Sequence, residues 1–284
     1  MGLPSAYTPS QIAAWEEHVS LPEKYRQANK PTLNLDYLTS LHNHQIAAIP
    51  YENLSLHYSP TPKVILDPTF TFNKIVTAKR GRGATAWKTY MAGAKGRARK
   101  DGIPSGEFLG WVHIVSIVTF TSPSGNEERY ASDVAFGGDG PCFPLPLDSS
   151  PEPPVFLNLG TQEVRIVHTN ISQQLEPRHK FWFTQADFEV MSYYTSTYRE
   201  GTNWQPFTVL VVGFIREGEA IVGKKMLVDA VVKRNDGGKT KLVLVCKGEE
   251  ERVRVLKEEF GIELTGEEVE GIRGTGVELK CNGS

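Results

Sequence analysis

An α+β fold in three subdomains is what the sequence predicts, on three observations. Up to about residue 80, apolar residues recur at helical spacing. The middle third turns β-branched and is punctuated by Gly, Pro, Ser and Asn clusters. The last third mixes short β-branched runs with a closing amphipathic helix.

Taken in order, Thr8-Pro9-Ser10-Gln11 supplies a cap residue and a first-turn Pro ahead of Ile12, Ala13 and Trp15. A second helix is predicted by Leu35, Leu38, Leu41 and Ile46, with Pro50 ending it. Val112 to Phe120 reads as a strand, Ser122-Pro123-Ser124-Gly125-Asn126 as a turn, and Arg129 to Phe136 as the returning strand. That hairpin sets His113 and Asp133 on adjacent strands, within reach of one another if the register cooperates. Glu163–Val167, Phe207–Phe214 and Lys241–Cys246 read as further strands, and Glu249–Phe260 as a helix with Val253, Leu256 and Phe260 on one face.

Composition narrows the function classes. The chain has 284 residues, 39% of them hydrophobic and 23% charged, with a formal net charge of −2. No global basic field points to nucleic acid or an anionic membrane. There is no run of about eighteen apolar residues, and Met1-Gly2-Leu3-Pro4-Ser5 lacks a signal-peptide core. Cys142, Cys246 and Cys281 form neither a disulfide framework nor metal-ligand spacing. The expectation is a cytoplasmic, reduced protein without a metal; the oligomeric state stays open.

Several motifs then carry a resemblance. Leu38-x-x-Leu41-His42-x-His44, followed by Ile49-Pro50-Tyr51-Glu52-Asn53-Leu54, resembles the N-terminal signature of arylamine N-acetyltransferases. Lys74-Ile75-Val76 running into Arg80-Gly81-Arg82-Gly83 is similar to fungal members of that family. Trp111-x-His113, Asp133-Val134-x-Phe136-Gly137 and Pro144-x-Pro146-Leu147 match its histidine and aspartate strands. The C-terminal pattern from Arg252-Val253 through Phe260-Gly261-Ile262 to Gly271-Ile272-x-Gly274 agrees as well.

The resemblance implies a helical bundle over residues 1–85, a β-barrel over 86–190 and an α/β lid over 191–284, around a cysteine-protease-like core. It implies an acetyl or malonyl group taken from acyl-CoA onto a cysteine and passed to an aromatic amine, with no bound cofactor. His113 is then the base and later the acid, Asp133 its orienter, and Trp111, Phe136, Gly137 and Phe207 belong to the substrate and CoA site. On its own His113 would read as a core histidine, and Trp204 and Phe207 serve core packing equally well.

One feature departs from the family. Where its members read Gly-Tyr-Cys-Met-Glu-Asn, this chain reads Ala84-Thr85-Ala86-Trp87-Lys88-Thr89, so Ala86 takes the cysteine's place and cannot be acylated. A shift of one base restores the motif. Codons built from the last base of one residue and the first two of the next can give Gly, Tyr, Cys and Met from Gly83 through Trp87. Trp87/Lys88 must give Glu, and Lys88/Thr89 can give Asn. A frameshift or misplaced exon boundary just after Gly83 is therefore the reading favoured over a genuine loss. Met91 to Pro104 fits it, being basic, small-residued and without apolar periodicity. The spans from Ala86 to His113 and around Arg178–Phe183 are also shorter than the family pattern.

Other features read as structural. His42 and His44, two apart on a helix, point their rings to different sides and do not form a metal site. Cys142 lacks a helix N-terminus to depress its pKa and makes a poor replacement nucleophile. Gly137-Gly138-Asp139-Gly140 lacks the Lys-Ser/Thr ending of a phosphate loop, and the basic run Lys95–Lys100 is expected to be a solvated loop. If Ala86 is genuine, the alternative is a pseudoenzyme or a CoA- or arylamine-binding module without turnover. Direct transfer in a ternary complex with His113 as base has less support.

Overall fold

The computed structural model describes residues 7–58, 88–100, 103–134, 141–146, 156–157, 164–165, 208–236 and 240–280. Helix α1 (Pro9–His18) opens on a reciprocal cap: Thr8 Oγ1 accepts from the Gln11 amide and Gln11 Oε1 from the Thr8 amide. Helix α2 (Leu35–Ala48) is capped by Asn34, whose Oδ1 accepts from the Tyr37 amide at 2.9 Å. It stops just short of Pro50. Tyr37, Leu38, Ser40, Leu41, His42, Asn43, His44 and Ile46 are all buried. A helix covered on more than one side must lie between layers, and α2 lies between two sheets.

The first sheet has the order β2-β3-β4-β5, made of β2 (Lys88–Lys100), β3 (Ile103–Thr121), β4 (Glu127–Ser132) and β5 (Leu145–Pro146). Its β3–β4 hairpin is the expected one, turning through Gly125 at φ +85° and running from Thr121↔Glu127 to Ser116↔Ser132. The returning strand ends at Ser132, so Asp133 follows the ladder rather than sitting within it. Among the described residues the expected barrel is not closed: β2 and the two-residue β5 form separate edges of an open sheet, whereas closure requires first and last strands to pair.

Strand β2 also corrects the sequence reading. Met91–Pro104 lacks apolar alternation, yet Lys88–Lys100 pairs with β3 from Lys88↔Thr119 to Lys100↔Ile103. The ladder is made by backbone groups and needs no side-chain pattern to form, but small polar residues specify its register weakly. It slips between Ala94/Lys95, Lys95/Arg97 and Arg97/Arg99. The run Lys95–Lys100 is therefore strand, not loop.

The second sheet has the order β1-β8-β9-β10-β11. Its strands are β1 (Tyr51–Glu52), β8 (Leu210–Glu217), β9 (Ala220–Val228), β10 (Val231–Asn235) and β11 (Thr240–Val245). A separate pair, β6 (Phe156–Leu157) and β7 (Val164–Arg165), lies earlier in the chain. Strands β9 and β10 have no counterpart in the sequence reading; the signal that marks β9 is Gly218, whose φ of +58° turns the β8–β9 hairpin. Among the described residues three further α-helices follow: α3 (Leu54–His57), α4 (Glu249–Phe260) and α5 (Gly266–Gly271). Helix α4 buries Arg252, Val255 and Leu256, with Val253 and Phe260 packed half-buried against the same core.

Among the described residues, three apolar clusters join these layers. Trp15, Val19, Leu38 and Leu41 of the N-terminal helices pack on Val118, Phe120 and Tyr130 of the first sheet. Leu54, Tyr58, Val211, Leu227, Leu256 and Ile262 fill the space around the second. Ile46, Cys142 and Ile221 bridge the two.

The segment Tyr51–Tyr58 is bound into the second sheet by polar contacts as well. Asn53 Oδ1 accepts from the Leu210 amide and its Nδ2 donates to the Thr208 carbonyl, both at 2.8 Å, so a side chain prolongs the β1–β8 ladder. The Arg252 guanidinium, wholly buried, donates to Tyr58 Oη at 2.9 Å, to the Glu249 carboxylate at 2.5 Å and to the Val277 carbonyl at 3.0 Å. Tyr58 donates in turn to Glu249 Oε1 at 2.5 Å. Removing the cation strands a carboxylate and a phenol in a dry site. Arg252→Met is accordingly expected to lower unfolding free energy by about 3–5 kcal/mol, and Tyr58→Phe by about 1 kcal/mol. Urea denaturation checks both; a near-neutral Arg252→Met would show that the network is not stabilising.

Candidate active site

The sequence-predicted site residues fall unevenly on the structure. Ala86, Phe136, Gly137 and Phe207 lie outside the described residues, as do Trp204 and the Gly137–Gly140 run. The backbones of Trp111 and His113 lie in β3, opposite Lys95 and Ala94 of β2. Asp133 follows Ser132, the last residue of β4, whose partner Ser116 stands three residues after His113 on β3. His113 is therefore on β3, and Asp133 stands just beyond the end of the neighbouring β4, at the same end of the β3–β4 ladder. The Asp133 side chain is buried, at 9% exposure.

One residue with a clear place here was set aside by the sequence reading. His42, on α2, is 1% exposed. Its Nδ1 lies 3.1 Å from Ser132 Oγ and its Nε2 3.0 Å from the Pro141 carbonyl oxygen. A carbonyl can only accept, so Nε2 carries the proton and donates, and Nδ1 accepts from the Ser132 hydroxyl. Burial pushes the imidazole down to about 4, partly opposed by the Pro141 carbonyl and by the charge of nearby Asp133. His44 turns elsewhere, with Nδ1 at 3.0 Å from the Val19 carbonyl and Nε2 at 3.4 Å from Glu219 Oε1. The two rings thus serve different elements, as their spacing predicts. Among the described residues, no group of three or more His, Cys, Asp or Glu side chains is gathered to hold a metal ion. In the sequence His42 stands out as a polar residue on an apolar helix face and as a member of the Leu38-x-x-Leu41-His42-x-His44 pattern.

Cys142 packs between Ile46 and Ile221. Burial pushes its thiol up to about 11 despite the opposing charge of Lys224. About one molecule in ten thousand would carry the thiolate at neutral pH, so Cys142 is not built as a replacement nucleophile. A cleft of ≈ 500 Å³ opens by the C-terminal ends of α1 and α2, lined by His18, His44, Arg216, Lys225 and Phe260, and neither Asp133 nor Cys142 reaches it. No helix among the described residues is long and apolar enough to cross a membrane.

Comparisons with known proteins converge. The family described as N-acetyltransferase matches residues 34–83. An N-malonyltransferase of Fusarium pseudograminearum is 25% identical over 327 residues, covering 95% of this chain and 93% of that protein. Among solved structures, a variant arylamine N-acetyltransferase of Mycobacterium smegmatis superposes with a TM-score of 0.66 at 18% identity, over 93% of this chain and 98% of the other. The Mycobacterium marinum arylamine N-acetyltransferase in complex with CoA gives 0.62 at 17% identity, over 93% and 99%.

The buried neutral histidine has a measurable consequence for acid stability. In the unfolded chain His42 titrates near 6.5, and in the folded chain near 4. The unfolded state therefore takes up the proton first as pH falls. The stability associated with neutral His42 is fully present above about pH 6.5 and is lost progressively toward pH 4, amounting to about 3 kcal/mol. Denaturation curves at pH 7 and pH 4.5 are expected to differ less for His42→Gln than for the parent chain; an equal difference would show that His42 does not titrate as described.

Proposed function

We propose that the chain is a member of the arylamine N-acetyltransferase family, with an architecture for acyl transfer from acetyl- or malonyl-CoA to an aromatic amine in the cytoplasm. The observation that supports this reading is that His113 lies on β3 and Asp133 directly follows the neighbouring strand β4, in a sheet packed against the helix that opens the segment resembling the family's N-terminal signature. In that arrangement a cysteine thiol loses its proton to His113, attacks the thioester carbonyl and retains the acyl group, while CoA leaves as the thiol with the proton from the imidazolium. The amine then attacks the acyl-cysteine carbonyl, and His113 removes the amine proton and returns one to the cysteine sulfur. Asp133 holds the imidazole in the useful tautomer and stabilises its charged form. Trp111, Phe136, Gly137 and Phe207 are assigned to the walls of the acyl-CoA and amine site.

As written, the chain cannot enter this cycle, because Ala86 stands where the nucleophile belongs. The neighbouring reading frame supports an active enzyme concealed by a frame error after Gly83. The second reading, a binding module without turnover, is favoured only if Ala86 is genuine. Donor choice stays between acetyl and malonyl; the name of the fungal N-malonyltransferase relative supports including the latter.

Intact mass after incubation with acetyl-CoA or malonyl-CoA separates the possibilities. The chain as written is expected to gain no acyl group. A chain carrying Gly-Tyr-Cys-Met-Glu-Asn in place of residues 84–89 with one residue moved in register, as the transcript dictates, is expected to gain one and lose it on adding an aromatic amine. An acyl adduct on the Ala86 chain, or none on the corrected chain, would overturn the assignment. CoA binding without any adduct on either would favour the binding module.

A further inference from the structure

We propose that His42 is a positioning residue for Asp133: its imidazole ties Ser132, the residue before Asp133, and Pro141 to α2, and thereby sets where the Asp133 carboxylate stands relative to His113. The inference rests on the reading of His113 and Asp133 as base and orienter.

Three observations carry it. The ring is a rigid planar connector, and its two nitrogens engage residues on either side of Asp133, at 3.1 Å and 3.0 Å. Both contacts have fixed polarity, donor to the Pro141 carbonyl and acceptor from the Ser132 hydroxyl, so only the neutral ring in one tautomer makes both. Ser132 is itself held in the ladder opposite Ser116 on β3, the strand that carries His113. The backbone immediately before Asp133 is thus fixed from the sheet side and from the helix side at once.

An apolar residue would fill this wholly buried position without the desolvation cost of a polar ring. What histidine adds is a two-ended hydrogen-bonded link from a helix to Ser132, the last residue of β4, and to Pro141. His42 does not act as a base itself: both its nitrogens are already occupied, and the ring is buried.

The test reads the titration of His113 in the full-length chain, by imidazole 1H–15N spectra with the His113 signal assigned through its loss in His113→Gln. Asp133→Asn is expected to lower the His113 midpoint by about one pH unit, because a neighbouring carboxylate favours the imidazolium. His42→Leu is expected to lower it by at least half as much. Ser132→Ala and His42→Gln, each keeping one of the two links, should fall between His42→Leu and the parent. If Asp133→Asn lowers the midpoint and the other three leave it unchanged, His42 is a packing staple and the proposal is overturned. If Asp133→Asn itself has no effect, the His113–Asp133 pair fails and the proposal falls with it. Should His42→Leu not fold, as judged by its thermal transition, Ser132→Ala decides the question alone, since it deletes a single hydroxyl.

Discussion

Three consecutive polar residues on one buried helix constrain the rest of this molecule. His42, Asn43 and His44 are each at most 5% exposed, and a buried polar group without a partner is costly. Side chains at successive helix positions point about 100° apart, so no single neighbour can satisfy all three. His42 reaches Ser132 and Pro141 by the first sheet, Asn43 donates to the Glu219 carbonyl at the β8–β9 turn, and His44 bonds Val19 after α1 as well as the Glu219 side chain. Helix α2 is therefore a hub whose polar contacts fix the relative positions of α1 and both sheets. Apolar burial supplies the attraction between these layers, but it is non-directional; the hydrogen bonds supply the direction.

The segment around Ile49–Leu54, within the stretch that matches the N-acetyltransferase family model, has a comparable structural logic. Tyr51 and Glu52 form the edge strand β1, Asn53 extends that edge with its side chain, and Glu52 Oε2 accepts from the Leu54 amide at 2.6 Å where α3 begins. His57 then approaches the same Thr208 carbonyl that Asn53 uses, at 3.1 Å. Within eight residues the chain passes from helix to strand to helix with its backbone groups bonded at each change. Replacing Asn53 by Asp would keep the acceptor for Leu210 but lose the donor to Thr208, which explains why an amide suits this position better than a carboxylate.

Local signals were legible in the sequence where local chemistry decides the outcome. The Thr8 cap, the Pro50 boundary, the Ser122–Asn126 turn and the long helix from Glu249 all follow from propensities acting within a few residues. The same signals bring out the β3–β4 hairpin, although its returning strand stops at Ser132, one residue before Asp133. What could not be read is set by distant partners. Strand β2 forms because β3 offers a ladder to residues whose own pattern specifies nothing, and β9 carries two consecutive lysines, one on each face, of which Lys224 is buried where an alternating strand would be apolar. The position of His42 was visible, but its purpose was not, because Ser132 and Pro141 are 90 and 99 residues away in sequence.

That distance dependence reaches an extreme in the second sheet. Asn53 bonds a strand 157 residues downstream, and Tyr58 bonds Arg252 across 194 residues. During synthesis the edge strand thus leaves the ribosome long before its partner exists, with Leu54 and Tyr58 as uncovered apolar surface. Loop closure over such spans is slow and exposes nascent chains to association. The segment that carries the family resemblance consequently has a strand partner and a buried cation that are made only 157 and 194 residues later, and its apolar side chains stay uncovered until then.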